Sequence, residues 1–264
     1  MSLPLLRIAL EASDVGLRLE LIAVVLTVCL TVFFIFQKLL KKCLFGEDSE
    51  YAGYIYNAMG VVFSLVFAFI TVLVWQSYNG VNDAVTKEAN SLNNIYRLYA
   101  AFPPEVESVG REQLRDYTET VIKEEWPLLS KDQFSIDAYK KLLVIENQII
   151  RFQPKTAGEI NAHQQMLRLI AESSELRRSR IYNAQFALAS PAWLGLISSA
   201  FIFLIFSCLF QMKSVRTHVI LIVFLGSTIV GVLYFLIIYI HPFLGPMAIQ
   251  PDPFINLLKL SWTY

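Results

Sequence analysis

The chain has 264 residues, of which 55% are hydrophobic and 17% are charged, and its mean hydropathy is +0.50. This apolar excess argues against a soluble domain and indicates a membrane protein. The 22 basic and 22 acidic residues cancel, so the net charge gives no indication of a nucleic-acid partner.

Most of the charges fall in one block in the middle of the chain. Of the 44 charged residues, 29 lie between residues 83 and 180. Three long stretches outside this block, 51–82, 181–212 and 217–251, contain no Asp, Glu, Lys or Arg, and a shorter one covers 21–37. A helix needs about 20 apolar residues to cross a bilayer, because lipid offers backbone groups no hydrogen-bond partner. The pattern therefore predicts four transmembrane helices.

The charged block adds a helical part between the second and third of these segments. Its apolar residues recur at helical spacing and do not alternate as in a strand. The sequence thus predicts an all-α membrane protein with a helical extramembrane insert. In chain order the organisation is an N-terminal tail at 1–20, transmembrane helices 1 and 2 at 21–78, the insert at 79–190, transmembrane helices 3 and 4 at 191–240, and a proline-rich tail at 241–264.

Helix-start signals divide the insert. Pro104 begins a helix after the extension of transmembrane helix 2, and Ser135 is expected to cap the next one, with Ile136 on its buried face. Thr156 and Glu159 have the spacing of a capping box at the start of a further helix.

The C-terminal tail contains four prolines and a glycine between residues 241 and 254. Proline fixes φ and does not continue a helix, so an extended or turning chain is predicted here. Phe243, Ile249 and Phe254 supply apolar anchors. We expect this segment to be ordered against the helices without being helical.

The basic residues give opposing indications of the side on which the insert lies. The two short loops carry lysines and an arginine, which favours cytoplasmic loops and an extracytoplasmic insert. Three arginines just before the third apolar stretch favour the opposite orientation. The loop residues are Lys38, Lys41, Lys42, Lys213 and Arg216, and the opposing ones are Arg177, Arg178 and Arg180.

The second apolar stretch carries a stripe of small and polar residues at steps of three and four. Small residues lie where helix backbones approach, and polar ones lie where a partner or water is present. The stripe is therefore either a helix-packing seam or one wall of a pore built by several copies of the chain. No charged residue is expected at membrane depth. This argues against a pump and is compatible with passive conduction. The candidate pore-lining residues are Asn57, Gly60, Ser64, Phe67, Ala68 and Thr71, of which Phe67 flanks the stripe.

Glu88 lies within the apolar stripe of the helix that extends transmembrane helix 2. A carboxylate in such a position needs a cation or several hydrogen-bond donors. Asn90, Asn94 and Arg97 follow nearby at helical spacing, although asparagine is a poor helix former. These four residues form either a polar network that holds the bundle together or a site for an ion or ligand.

No motif for catalysis or for a cofactor occurs in the sequence. The three histidines lack the spacing of metal ligands, and there is no glycine-rich phosphate loop, nucleophile elbow or HExxH motif. Two of the three cysteines, Cys29 and Cys208, fall in predicted membrane helices, and there is no disulfide framework. We therefore expect no enzyme activity, no cofactor and no metal site.

Several short motifs together resemble the bestrophin-like family of bacterial membrane proteins. The resemblance extends from about residue 21 to 258, and the proline-rich end is its most specific part. Bestrophins, to which that family is distantly related, are pentameric anion channels with a long helical region between the second and third membrane segments. The matching motifs are Glu88-Ala89-Asn90, Tyr96-Arg97, Glu125-Trp126, His241-Pro242-Phe243 with Gly245-Pro246, and Pro251 with Pro253-Phe254.

This resemblance implies a passive, anion-selective channel of the bacterial inner membrane, multi-pass and oligomeric, with transmembrane helix 2 lining the path. It also implies that the chain forms a pentamer in the lipid bilayer. The small-molecule partner that it implies is chloride or another small anion. The alternative is a non-conducting scaffold or accessory subunit whose insert docks a partner. Bestrophins keep their helical region in the cytoplasm, against the side that the short-loop lysines favour. No acidic cluster has calcium-loop spacing, so no calcium site is carried over.

Overall fold

The structure, a computed structural model, describes residues 14–39, 48–184 and 190–261. Within these ranges the chain forms helices and turns and no strand, which confirms the all-α prediction. Most of the predicted N-terminal tail and the loop lysines Lys41 and Lys42 lie outside the described residues. The helices are α1 (Asp14–Leu39), α2 (Ser49–Leu98), a 3₁₀ turn (Tyr99–Ala101), α3 (Pro104–Thr120), a π-helical segment (Val121–Glu125), α4 (Trp126–Leu129), α5 (Ile136–Arg151), α6 (Ala157–Ala184), α7 (Ser190–Cys208), α8 (Val215–Ile240) and α9 (Asp252–Ser261).

Two of these helical stretches are long and apolar enough to cross a bilayer. They are Ser49–Ala101, which is α2 with the 3₁₀ turn, and Val215–Ile240. Two shorter apolar stretches in the described residues, Ile22–Ile35 and Ala192–Cys208, fall within the first and third predicted membrane segments. The count of four transmembrane helices stays a prediction.

The chain divides into two compact units. The apolar unit contains α1, α2 as far as Gln76, α7 and α8. The charged unit contains residues 77–186 together with 241–244 and the chain from 248 onwards. α2 is one helix of 50 residues that contributes to both units.

In the apolar unit, α1 packs against α7 and α8. Cys29 and Phe33 of α1 are at most 1% exposed within this cluster. A Cβ atom on Gly226 of α8 would lie 3.0 Å from the Cys29 sulfur, so a glycine is what permits this close approach. α2 contacts α7 through Phe203, whose ring stacks on Tyr56 with centroids 4.4 Å apart.

In the charged unit, the second half of α2 lies in a helical core with α3, α5 and α6. Leu92 and Ile95 in this half of α2 are 0% exposed. The predicted caps are also present: Ser135 Oγ accepts the N–H of Ala138 at 3.1 Å, and Thr156 Oγ1 accepts the N–H of Glu159 at 3.2 Å. Local capping chemistry therefore sets where α5 and α6 begin.

Two sequence-based expectations for this unit were wrong. Ile136 is 64% exposed, because the buried stripe of α5 runs through Ala138 and Leu142 instead. The end of the proline-rich tail is helical, since α9 begins at Asp252. Pro253 is tolerated there because N–H groups in the first helical turn have no intrahelical acceptor.

The tail nevertheless lies against the helices of the charged unit, as expected. Phe243, Ile249 and Phe254 are 7%, 6% and 0% exposed in its core. The N–H of Ile249 donates to the carbonyl of Pro242 at 2.8 Å, which closes a loop. Gly245 within that loop has φ of 89°, a conformation that favours glycine.

Candidate functional site

Four charged side chains meet in the interior of the charged unit. Glu88 comes from α2, Glu125 from the end of the π-helical segment, and Arg177 and Arg180 from α6. The side chains of Glu88, Glu125 and Arg180 are 0% exposed, and that of Arg177 is 5% exposed. Two negative and two positive charges balance, which is the condition under which ionised groups persist in a protein interior. We call these four residues the buried ionic network.

Arg180 joins the two carboxylates. Its Nε donates to Glu88 Oε2 at 2.7 Å, and its Nη2 donates to Glu88 Oε1 at 2.9 Å and to Glu125 Oε1 at 2.9 Å. Arg177 donates from Nε to Glu125 Oε1 at 3.1 Å and from Nη2 to the other carboxylate oxygen. The planar fork of a guanidinium fits such two-point contacts, which a lysine would not reproduce.

Neutral donors complete the hydrogen bonding of the two carboxylates. The Tyr117 hydroxyl donates to Glu88 Oε1 at 3.4 Å, and the backbone N–H of Ser135 donates to Glu125 Oε2 at 3.3 Å. Every carboxylate oxygen of the network therefore has at least one donor. Among the described residues, no group of three His, Cys, Asp or Glu side chains is arranged to hold a metal ion. The two carboxylates are thus paired within the protein and hydrogen-bonded at every oxygen.

The network changes the acidity of the groups around it. Burial raises the pKa of Tyr117 well above its usual value of 10, and the charges of Glu88 and Glu125 raise it further, against an opposing effect of the two arginines. Burial alone would lower the pKa of Arg180, but Coulombic attraction and hydrogen bonding to Glu88, with attraction to Glu125, outweigh it and the pKa is raised. Both side chains therefore keep their protons at neutral pH.

Aromatic rings from α4 and the C-terminal segment cover the network. The guanidinium carbon of Arg180 lies 5.2 Å from the ring centroid of Trp126 and 5.6 Å from that of Phe254. Its buried Nη1 has no hydrogen-bond partner among the described residues, and cation–π attraction to these rings compensates in part. The Trp126 indole N–H donates to the carbonyl of Ile249 at 3.0 Å. The C-terminal segment is thereby held directly over the ion pairs.

The π-helical segment carries Glu125, the second glutamate of the network, at its end. The N–H of Trp126 donates to the carbonyl of Val121, five residues earlier. Pro127 follows and has no N–H to donate to the carbonyl of Lys123, so the regular α-helical pattern is interrupted at this point. Glu125 is buried on the inner side, whereas its neighbour Glu124 is exposed.

Only one of the four predicted network residues takes part in these ion pairs. Glu88 does so, whereas Asn90, Asn94 and Arg97 are exposed on α2. Sequence reasoning did not assign Glu125, Tyr117, Arg177 and Arg180 to the site. The available signal was the spacing of three between the two arginines, which puts them on one helix face.

The candidate pore-lining residues lie in the apolar unit, in two open grooves. Asn57 lines one of them with Tyr56, Ser207 and His218. The second has a volume of about 520 Å³ and lies between α2, α7 and α8. The candidate residues that line this second groove are Gly60, Ser64, Phe67, Ala68 and Thr71.

The hydroxyl groups of that second groove are bound to their own helix. Ser64 Oγ donates to the carbonyl of Val61 at 2.9 Å, and Thr71 Oγ1 donates to the carbonyl of Phe67 at 2.8 Å. Phe67 is 5% exposed, whereas Ser64 and Ala68 are exposed. The groove therefore presents a largely apolar lining with three hydroxyl oxygens, the third from Thr228 of α8, which donates to the carbonyl of Phe224 at 3.0 Å.

A different row of α2 residues is exposed at every position, whereas the stripe is interrupted by the buried Phe67. Val61, Leu65, Phe69 and Leu73 follow one another at steps of four and are 58%, 53%, 68% and 59% exposed. Each is apolar, so the row forms a continuous apolar surface along the helix. We call this row the outer row of α2.

Comparison with known proteins agrees with this architecture. The crystal structure of a bacterial bestrophin homologue from Klebsiella pneumoniae gives a TM-score of 0.67 at 12% identity, over 94% of this chain and 98% of that chain. A point variant of a K. pneumoniae bestrophin homologue gives 0.65 at 13% identity, over 95% and 100%. The crystal structure of a substituted membrane protein gives 0.67 at 11% identity, over 93% and 99%. At these identities the likeness shows the fold.

Sequence comparison gives the family. No curated protein matches the sequence significantly. The family model described as Bestrophin-like domain matches residues 22–254, which is most of the chain. This protein is therefore a membrane protein that belongs to the Bestrophin-like family.

Proposed function

We propose that this chain is one subunit of an oligomeric, passive ion channel of a bacterial inner membrane, with α2 lining the path. The observation that carries the proposal is the exposure of the outer row of α2, whose apolar side chains are more than half exposed in the single chain. Such a surface is expected to be covered by lipid or by further copies of the chain. A ring of copies would place one α2 from each around a common axis.

The chemistry of α2 favours passive conduction over pumping. Residues 51–82 contain no Asp, Glu, Lys or Arg, the residue types that relay protons or bind coupling ions inside membranes. Apolar constrictions gate channels by excluding water, and hydroxyl groups assist ions without fixed charge. Membership of the family, whose bestrophin relatives are anion channels, supports chloride or another small anion as the permeant ion.

Two faces of α2 are candidates for the wall of the path. The first is the predicted stripe with Asn57, Gly60, Ser64, Phe67, Ala68 and Thr71, and the second is the outer row. Because the Ser64 and Thr71 hydroxyls already donate to their own helix, the stripe offers an ion few free donors. Phe69 of the outer row is 68% exposed, against 5% for Phe67 of the stripe, and this difference favours the outer row as the constriction.

A second candidate function is a non-conducting scaffold or accessory subunit. It is favoured by apolar side chains on the outside of α5, where Ile136 and Ile150 are 64% and 62% exposed. A docked partner would cover them. The two functions differ in a single measurable property, the permeability of a membrane that contains the protein.

The test is chloride flux from liposomes that contain the purified protein, with charge movement balanced by a potassium ionophore. The channel proposal expects flux above that of empty vesicles, and Phe69→Ala is expected to change its rate by widening the constriction. Phe224→Ala is the matched control, because Phe224 is a phenylalanine of α8 with 69% exposure against 68% for Phe69. Absence of flux in both protein orientations would overturn the channel and leave the scaffold.

The same assay separates the two faces. If Ser64→Leu and Thr71→Leu block flux while Phe69→Ala leaves it unchanged, the stripe forms the wall and the outer row does not. Equal effects of Phe69→Ala and Phe224→Ala would show a general disturbance of packing and remove the assignment of the outer row.

A further inference from the structure

An open groove of about 420 Å³ lies on the charged unit between the start of α5 and the last turns of α6. None of the candidate pore-lining residues lines it. Its lining combines two arginines with aromatic and aliphatic side chains. The lining residues are Phe134, Tyr139, Arg177, Arg178, Ile181 and Tyr182. Four of them come from one face of α6, at spacings of three and four.

Arg178 gives the groove an uncompensated positive charge. Its neighbour Arg177 is engaged by Glu125, and its guanidinium carbon lies 5.8 Å from the ring centroid of Tyr139. Arg178 is exposed, and in the described part of the chain no carboxylate lies within ion-pair distance of it. An anion in the groove would therefore find a guanidinium that is not already neutralised.

The walls of the groove are suited to an apolar body next to that anion. Tyr182 is 77% exposed and Phe134 is 49% exposed, which are high values for large aromatic side chains. Tyr182 offers a ring with a hydroxyl at its tip, the kind of side chain that is enriched at the boundary between lipid and water. An amphiphilic ligand would bury these rings and keep its charged group at Arg178.

The position of the groove in the chain points to the membrane as the source of this ligand. Tyr182 is eight residues before Ser190, where the apolar helix α7 begins. Basic side chains next to a membrane helix attract anionic lipid headgroups. A guanidinium binds phosphate through paired N–H groups, which makes arginine better suited than lysine to hold such a headgroup.

We propose that this groove binds an anionic phospholipid, whose phosphate pairs with Arg178 and whose glycerol and upper acyl region lies on Phe134, Ile181 and Tyr182. The groove would then hold the charged unit at the membrane surface. This assignment concerns lipid binding and does not depend on whether the protein conducts ions.

The test is native mass spectrometry of the full chain in a neutral detergent, titrated with phosphatidylglycerol or with phosphatidylcholine of the same acyl chains. The protein is expected to retain phosphatidylglycerol in preference. Arg178→Gln is expected to weaken that binding about tenfold, the change that corresponds to about 1.4 kcal/mol. Arg168→Gln is the matched control, since Arg168 is an exposed arginine of the same helix outside the groove. Tyr182→Ser, which removes the apolar wall and keeps the charge, is expected to weaken binding as well.

Three results would overturn the proposal. Equal retention of the two lipids, or an equal loss with Arg178→Gln and Arg168→Gln, would show that the groove selects no anionic headgroup. Binding of glycerol 3-phosphate as strong as that of the phospholipid would assign the groove to a soluble organic anion. A change in the number of associated subunits with Arg178→Gln, without loss of lipid, would assign it to an interface between copies of the chain.

Discussion

Glu88 and Arg180 are 92 residues apart in the chain and meet in a two-point ion pair with no exposed side-chain surface. The pair connects α2 to α6, and Glu125 and Arg177 extend it. Removing one member of a buried ion pair is costly because the other charge loses its compensation and remains away from water. The pair is therefore expected to control the stability of the charged unit.

Arg180→Met is expected to lower the free energy of unfolding by about 3–5 kcal/mol, because Glu88 loses its main partner and stays buried away from water. The measurement is thermal unfolding of the purified protein in detergent. The double variant Glu88→Gln with Arg180→Met should be less destabilised than the sum of the single variants, since no unpaired charge remains between those two positions. Arg168→Met, at an exposed position on the same helix, is the control. Equal melting temperatures for the two single arginine variants would contradict the structural role.

Tyr117 predicts how stability depends on alkaline pH. Its pKa in the folded protein is raised above the usual 10, first by burial and then by the two carboxylates. Above pH 10 the unfolded chain releases this proton while the folded one retains it, so the free energy of unfolding falls as pH rises. Below pH 10 both states are protonated and the contribution is fully present.

Tyr117→Phe should therefore flatten the fall in melting temperature between pH 9 and pH 11. At pH 8 the same variant loses a single hydrogen bond of 3.4 Å to Glu88, which costs about 1 kcal/mol. The comparison of the variant with the parent at the two ends of the range isolates the titration. An unchanged slope would show that ionisation of Tyr117 does not contribute.

Local patterns were sufficient to predict the helices and much of their capping. Ser135 and Thr156 cap α5 and α6 because a side-chain oxygen three residues before a backbone N–H is a short-range arrangement that needs no tertiary contact. The burial of Glu88 was also readable, since it falls among apolar residues at helical spacing. In contrast, the identity of its partner depends on how α6 returns across α2, which periodicity does not encode.

The errors have a common physical origin. Asn90, Asn94 and Arg97 were grouped with Glu88 by proximity in sequence, whereas they project from the exposed side of α2. The tail was expected to lack a helix because it contains prolines, yet Pro251 and Pro253 fall where α9 starts and its first N–H groups need no intrahelical acceptor. In each case the residue type was interpreted correctly and its position within the element was not.

The hydrogen bond from Trp126 to Ile249 predicts how the C-terminal segment is held. Trp126→Phe removes the donor, leaves the Ile249 carbonyl without this partner and keeps an aromatic ring over Arg180. A lost buried hydrogen bond of this kind costs about 1–3 kcal/mol. Relative to the parent, the hydrogen-exchange rate of Trp126→Phe should therefore rise more in residues 248–257 than in residues 88–95.

The control for this effect is Gln250→Ala. Gln250 is exposed and its side chain donates to the carbonyl of Ala248, so it lies in the same segment but outside the core. Exchange in the segment should stay close to that of the parent. If Trp126→Phe also leaves it unchanged, the indole N–H is not what retains the C-terminal segment.

When Gly110 is replaced by alanine, packing and helix propensity are expected to have opposite effects on stability. A Cβ atom at this position of α3 would lie 2.1 Å from Cε1 of the Tyr99 ring, which is 2% exposed and has little room to move. Alanine gains about 1 kcal/mol over glycine within a helix, whereas overpacking a core costs about 1–3 kcal/mol. Since the overlap here is severe, Gly110→Ala is expected to lower the melting temperature. Gly158→Ala should raise it slightly, because the closest atom to its added Cβ is Thr156 Oγ1 at 4.0 Å. Opposite shifts for these two identical substitutions would establish the contact with Tyr99, and a rise with both would exclude it.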